Sequence, residues 1–223
     1  MTPVIVFDLD DTLYLERDYV LSGFQAVGEW AERQLLVSDI FEKAWNLFLA
    51  GGRRTTITEA FEQVGRPLDT DETAEAVRVY REHKPDIRLC DDAELLLDSL
   101  AGVARVAVVT DGVAVSQRAK IDVLGLSTRA HPIVVTSEHG SHWQKPGLSS
   151  FRSVQTTLHA EPTTCTYIAD NPTKDFAGPK TLGWRTIRVA RPLGLHSHTQ
   201  APSGIVDRTV TTLADLIRTS EQM

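Results

Sequence analysis

A chain of 223 residues, 42% of them hydrophobic, can bury one substantial core and support a second small lobe. Thirty acidic against twenty-three basic residues leave a net charge of −7 with no block of Lys or Arg, which argues against a nucleic acid or an anionic membrane as partner. A small anionic substrate needs only a local positive site.

The N-terminal stretch MTPVIVFDLDD has no basic leader, and nowhere do eighteen apolar residues follow one another, so neither a signal peptide nor a membrane span is expected. Cys90 and Cys165 lack CxxC or Cys/His spacing, which speaks against a disulfide framework and a zinc site; reducing cytoplasm is the expected compartment.

Short β-branched runs ending in polar residues occur at 4–8, 106–110, 133–136, 166–170 and 185–189. Helix-length segments separate most of them, the pattern of βαβ units on a parallel sheet. Between the first two runs about ninety residues intervene where a crossover needs a dozen or more. Val20, Phe24, Val27, Ala31 and Leu35 share a helical face there. So do Phe41, Ala44, Trp45, Phe48 and Leu49, then Ile57, Ala60, Phe61 and Val64, then Ala74, Val77 and Tyr80. Four amphipathic helices make a small all-α lobe at 16–82, and 1–15 with 83–223 form the core domain. Asp91 and Asp92 open a helix returning the chain to the sheet. Further helices follow around Val115–Leu124, Leu148–Leu158 and Phe176–Leu182, with a last short one near Leu213–Ile217. The fold class is α/β: an open parallel Rossmann-like sheet with helices on both faces plus an inserted all-α lobe.

In such a sheet ligands sit beyond the carboxyl ends of the strands. The unusual polar residues fall there: Asp8 and Asp10 after the first strand, Thr110 and Asp111 after the second, Lys145 before a helix expected to start at Pro146, and Asp170 after the fourth, with Asp175 five residues on. Three or more carboxylates converging in a low-dielectric cleft repel one another, so one must hold a proton or a cation must bind among them. Hard oxygen ligands without His or Cys point to Mg²⁺.

FDLDDTL, VVTDG, WQKPG and IADNPTKDF, in that order, resemble the four motifs of the haloacid dehalogenase superfamily. The insertion after the first motif is similar to that family's type-one helical cap. The resemblance implies a phosphatase acting on a small phosphorylated metabolite, such as a sugar phosphate or nucleoside monophosphate, as a monomer or homodimer. It implies Asp8 as nucleophile and Asp10 as general acid and base. Thr110, Asp111, Gly112 and Lys145 would bind phosphate, and Asp8, Asp10 (through its main-chain carbonyl), Asp170 and Asp175 would hold Mg²⁺. Asp11 and Ala169 stand where many relatives have Gly.

Each element taken alone has a plainer reading. Acids after a strand are often loop or cap residues, a Thr there bonds local backbone, and a Lys before Pro is usually a solvated surface residue. Only the set argues for catalysis. His196 and His198, in a Gly/Ser/Pro-rich stretch, are read as solvated loop residues. Arg53 and Arg54, between two lobe helices, are candidates for a second anionic group of the substrate, with a solvated basic turn as the competing reading. Asn171 is a candidate contact of Lys145 or substrate. A phosphomutase or dehalogenase on this scaffold, or a catalytically silent binding member, is the alternative, and Asp10 speaks against a dehalogenase. A receiver domain is about half this long and has no such insertion.

Overall fold

The computed structural model describes residues 2–217. The chain divides into two compact units, one taking the chain up to Arg17 and again from Arg88 onward, the other Asp18–Ile87. After β1 (Val4–Phe7) come α1 (Glu16–Trp30), which runs into a wider helical turn over Ala31–Leu35, α2 (Ile40–Leu49), α3 (Thr56–Gln63) and α4 (Thr70–Glu82). The order then runs α5 (Asp91–Leu100), β2 (Arg105–Thr110), α6 (Ala114–Val123), β3 (Ile133–Val135), α7 (Ser149–Thr157), β4 (Cys165–Ala169), α8 (Ala177–Thr181), β5 (Arg185–Val189), β6 (Arg208–Val210) and α9 (Ala214–Ile217).

The six strands form one sheet in the order β3-β2-β1-β4-β5-β6, every pairing parallel. β1 lies between β2 and β4, with Val6 opposite Ala107 on one side and Tyr167 on the other. Val6, Phe7, Val108, Val109, Ile168 and Ala169 are all buried, the continuous apolar run of strands covered on both faces. Phe151, Tyr167, Phe176 and Trp184 pack edge to face beneath the sheet, with ring centroids 5.0 to 6.4 Å apart. That packing fixes the Tyr167 ring, whose hydroxyl reaches the site described below.

Three details differ from the sequence reading. The edge strand β6 has no counterpart in it, because three residues, two of them exposed, give no period to detect. The helix expected from Pro146 starts at Ser149: Gly147 N–H bonds to the Gln144 carbonyl at 2.8 Å, closing a turn around Lys145 and Pro146 first. Gly178 is needed here, since a Cβ at that position would lie 2.7 Å from the Pro146 carbonyl oxygen. In the helical unit Leu49 and Ala74 are exposed, while Ala76 takes the buried place on α4.

The helical unit packs around Phe24, Phe48 and Phe61. Gly23 brings α1 close to α4: a Cβ there would come within 2.5 Å of the Tyr80 ring. Asp69 and Glu72 form a capping box that starts α4. Both cysteines are free. Among the described residues no helix is long and apolar enough to cross a membrane.

Candidate active site

Adjacent strands β1 and β4 end side by side, and the Asp8 amide donates to the Ile168 carbonyl at 2.9 Å. Asp8 and Asp170 therefore leave neighbouring strand ends, at the place where the strand order reverses direction. Arg188 of β5 keeps Asp170 in place by donating to its carbonyl at 3.2 Å and to the His196 carbonyl at 2.7 Å.

The loop after β1 is shaped by what it buries. Leu9 and Leu13 are fully buried, and Leu13 N–H returns to the Leu9 carbonyl at 3.0 Å. Asp11 takes a left-handed conformation, φ 53°, in the intervening turn. Its carboxylate accepts from Glu16 N–H at 2.9 Å and Leu195 N–H at 2.7 Å, tying the start of α1 to the 193–198 loop. Arg191 adds two bonds to the Thr12 carbonyl, at 3.0 and 2.8 Å. Asp11→Ala loses two charge-assisted bonds and keeps the strained φ, so it should lower stability by about 2–4 kcal/mol in urea denaturation. Asp11→Asn, which tolerates that φ and keeps an acceptor, should cost less than half as much, and equal losses would refute this account.

Lys145 is buried at the centre. Its ammonium donates to Asp8 Oδ1 at 2.7 Å and to the Tyr167 hydroxyl at 3.2 Å, and lies 2.7 Å from Asp175 Oδ1. Burial alone would lower its pKa, but Asp175 and then Asp8 outweigh that and hold it well above the ordinary lysine value. Asp175 Oδ2 accepts from Asn171 N–H at 3.0 Å, so both its oxygens are engaged. Burial lifts the Asp8 carboxyl to about 6, against the pull of Lys145 and with a push from Asp175. Burial, then Asp8, Asp175 and Asp11, push Asp170 up to about 9.

Asp8, Asp170 and Asp175 can each offer one oxygen within 4.8 Å of the others, all three residues being buried. One lysine does not balance three such carboxylates, and after burial the charges of Asp8 and Asp175 add to the lift on Asp170. A hard divalent cation fits this donor set. Asp8 and Asp170 would each offer it one carboxylate oxygen.

Asp10 belongs to a second cluster. Lys120 donates to its Oδ1 at 2.6 Å, the Tyr14 hydroxyl donates to the same oxygen, and Gln117 donates to Oδ2 at 2.8 Å. Burial works against the anion, but the Lys120 charge and the bonds from Lys120, Tyr14 and Gln117 hold the Asp10 carboxyl below the usual range. Gln117 also donates to Thr110 Oγ at 2.6 Å. Asp111 accepts at Oδ1 from the Thr136 hydroxyl at 2.7 Å and from Lys145 N–H at 3.2 Å, and its Oδ2 lies 3.5 Å from the Lys174 ammonium. Gly112 has φ 135°, open only to glycine.

A cavity of about 120 Å³ opens beside these groups, lined by Asp8, Asp10, Asp111, Asp170 and Asn171 together with Glu16, Lys174 and His196. Burial and then Asp10 push Glu16 up to about 7. A larger groove of about 590 Å³, bounded by Arg152, His159 and Glu161, lies at the amino end of β4 and gathers no such carboxylates.

The structure thus brings Asp8, Lys145, Asp170 and Asp175 into one cluster, and joins Asp10 with Thr110 in the other. Asn171 lines the cavity with its polar atoms engaged: its Nδ2 pairs with His196 Nε2 at 2.9 Å, and its Oδ1 accepts from Thr173 N–H at 3.0 Å and the Thr173 hydroxyl at 2.7 Å. His196, read as a solvated loop residue, lines the cavity, because Asp11 and Arg188 pin its loop against the strand ends. In the helical unit Arg53 donates to the Phe48 and Gly52 carbonyls at 3.2 and 2.6 Å and stacks over the Phe48 ring, while Arg54 is exposed. Tyr14, Glu16, Gln117, Lys120 and Lys174 do not stand out in the sequence, where their spacing alone carries no signal of this role.

The family model for haloacid dehalogenase-like hydrolases matches residues 5–189. Glyceraldehyde 3-phosphate phosphatase of Methanocaldococcus jannaschii is 24% identical over 196 residues, covering 84% of each chain. Among solved structures, the HAD-hydrolase YfnB of Bacillus subtilis, bound to magnesium, superposes with a TM-score of 0.68 at 18% identity over 98% of both chains. The 2-haloacid dehalogenase of Pseudomonas syringae pv. Tomato does so with 0.68 at 21% identity, over 100% of this chain and 99% of that one.

Proposed function

Because the chain belongs to the haloacid dehalogenase-like hydrolase family, we propose that it is a Mg²⁺-dependent phosphatase of a small phosphorylated metabolite, working through an aspartyl phosphate. One observation carries this reading: Asp8, Lys145 and Asp170 meet at the ends of adjacent strands, with a second acid, Asp10, two residues after the first.

In the proposed reaction an Asp8 oxygen attacks phosphorus and the bond to the leaving oxygen breaks, while Asp10, which first takes up a proton carried in by the phosphate monoester against the pull of Lys120, gives that proton to the leaving oxygen. Asp10, now the base, takes a proton from water, which attacks phosphorus and returns Asp8 and inorganic phosphate. Lys145 balances charge on Asp8 and the phosphoryl oxygens. Thr110, whose oxygen already accepts from Gln117, would turn its own proton from the Asp111 carbonyl, 3.4 Å away, to a phosphoryl oxygen, alongside the N–H groups of Asp111 and Gly112. Asp8, Asp170 and the Asp10 carbonyl would hold Mg²⁺, with Asp175 orienting the set through Lys145 and Asn171. When bound, the ion supplies neutralisation of phosphate charge. We assign the helical unit the role of cap, with Arg53 and Arg54 as its candidates for a second anionic group of the substrate.

Above about pH 7, where it ionises, Glu16 on the cavity wall disfavours a carboxylate near the scissile bond and suits hydroxyl-bearing leaving groups. The test is a phosphate-release screen over phosphorylated metabolites, with Mg²⁺ and with chelator. Polyol and sugar phosphates, glyceraldehyde 3-phosphate among them, should turn over, and chelator should stop release. Undiminished release in chelator would remove the metal, and halide release from 2-haloacids would favour the dehalogenase reading.

Metal binding should also report the Asp170 proton. Below about pH 9 the metal-free carboxyl holds that proton, whereas the ion requires the anion. Mg²⁺ binding at pH 7.5 should therefore release about one proton per ion, and affinity should weaken up to about tenfold for each pH unit lost from there to about pH 6, below which Asp8 also holds a proton and the fall steepens. Calorimetry in two buffers of different ionisation enthalpy measures this; zero proton release would contradict it.

A further inference from the structure

We propose that Gln117 and Lys120, one turn apart on α6, are positioning residues that clamp the Asp10 carboxylate by both oxygens and align the Thr110 hydroxyl with it. The inference rests on the phosphatase reading, in which Asp10 moves protons and Thr110 faces the phosphoryl group. Both side chains are buried, Gln117 at 1% and Lys120 at 4% exposure, although a helix facing a sheet ordinarily buries apolar groups there. Each reaches back more than a hundred residues to Asp10, at 2.8 Å on Oδ2 and 2.6 Å on Oδ1. Gln117 joins the two halves, since the same amide nitrogen lies 2.6 Å from Thr110 Oγ. Two donors from one rigid helical turn, acting on different oxygens, fix the plane of the carboxylate as well as its place.

The glycine after Asp111 is part of the device. A Cβ at Gly112 would stand 3.0 Å from Cδ and 3.1 Å from Cγ of Gln117, so the glutamine lies against the space that glycine leaves. Asp10 orientation is thereby linked to the conformation of the loop expected to hold phosphate.

The experiment measures para-nitrophenyl phosphate hydrolysis in Mg²⁺, and Tm, for the parent, Gln117→Met, Lys120→Met, Lys120→Arg, Asp10→Asn and the doubles with Asp10→Asn. Gln117→Met and Lys120→Met should each lower kcat about 10- to 100-fold with KM within about twofold, and Lys120→Arg should recover most of the loss. In the Asp10→Asn background neither substitution should change kcat by more than about twofold, because the group they position is gone. Lys120→Met should also depress Tm, and Asp10→Asn should restore part of it by removing the buried carboxylate left without its lysine. Equal kcat losses in the parental and the Asp10→Asn backgrounds would reduce both residues to general structural support and overturn the proposal, as would parental kcat in the single variants. If the parent releases no phosphate, the phosphatase reading fails on its own. The Tm cycle still decides the clamp, and independent Tm effects of the Asp10 and Lys120 substitutions would then reject it.

Discussion

Asp8→Ala should abolish phosphate release, lowering it by at least about 10⁴-fold, while the chain stays folded. The loss is that large because the substitution removes the attacking atom, and Asp175, the carboxylate equally close to Lys145, is fully buried and does not line the cavity. Folding survives for a separate reason. Burial lifts the Asp8 carboxyl to about 6 even with Lys145 beside it, so the folded state disfavours its anion relative to the unfolded chain, where a free Asp titrates near 3.9. Between those two values the folded state binds more protons than the unfolded one, so this group makes stability fall as pH rises from about 4 to about 6. Removing it in chelator cancels a penalty of roughly 2–3 kcal/mol that is fully present above pH 6, offset by lost contacts of the side chain. Lys145 keeps Asp175 at 2.7 Å. The variant should therefore melt within a few degrees of the parent at pH 8 and compare less favourably at pH 4. Turnover above a hundredth of the parental rate would sink the covalent route.

The contrast between what could and could not be read in advance follows from how side chains are placed. A βαβ pattern fixes where strands end, and a parallel sheet brings its carboxyl ends together. Asp8, Asp170 and Lys145 were thus accessible as a set, although 137 residues separate Asp8 from Lys145. Tyr14, Gln117 and Lys120 are different. On α6 a Gln and a Lys three residues apart read as solvated helix surface. Only the distance between that helix and the loop after β1 reveals that both face Asp10. His196 was hidden for a similar reason, since its loop has the composition of a solvated turn and is held in by Asp11 and Arg188, two residues with no local tie to it. The turn at 144–147 overrode Pro146 as a helix start, because the chain must first present the Lys145 amide to Asp111.

Lys145→Met is the second substitution with a large expected effect, and it acts on stability and catalysis together. The ammonium is fully buried between Asp8 and Asp175 and also bonds the Tyr167 hydroxyl, so its removal leaves carboxylates in a low-dielectric site with their shared partner gone. Breaking a buried pair on one side costs about 3–5 kcal/mol, where a surface ion pair would cost under about 1. The sign of its pH dependence is set by the acids left behind. Lys145 lowers Asp8 and Asp170, so without it both carboxyls rise further, and each is relieved by taking up a proton. The folded variant then binds more protons than its unfolded chain from about pH 4 upward, and its stability falls as pH rises through that window. Urea denaturation in chelator should show a deficit against the parent that is distinctly larger at pH 8 than at pH 5. Adding Asp175→Asn should recover a substantial part of the stability at pH 8 but none of the turnover, because Asp8 and the phosphoryl group still lack their cation. A deficit of the same size at both pH values, or a double variant that regains activity, would show that Lys145 serves as a packing residue and does not balance the charge of this site.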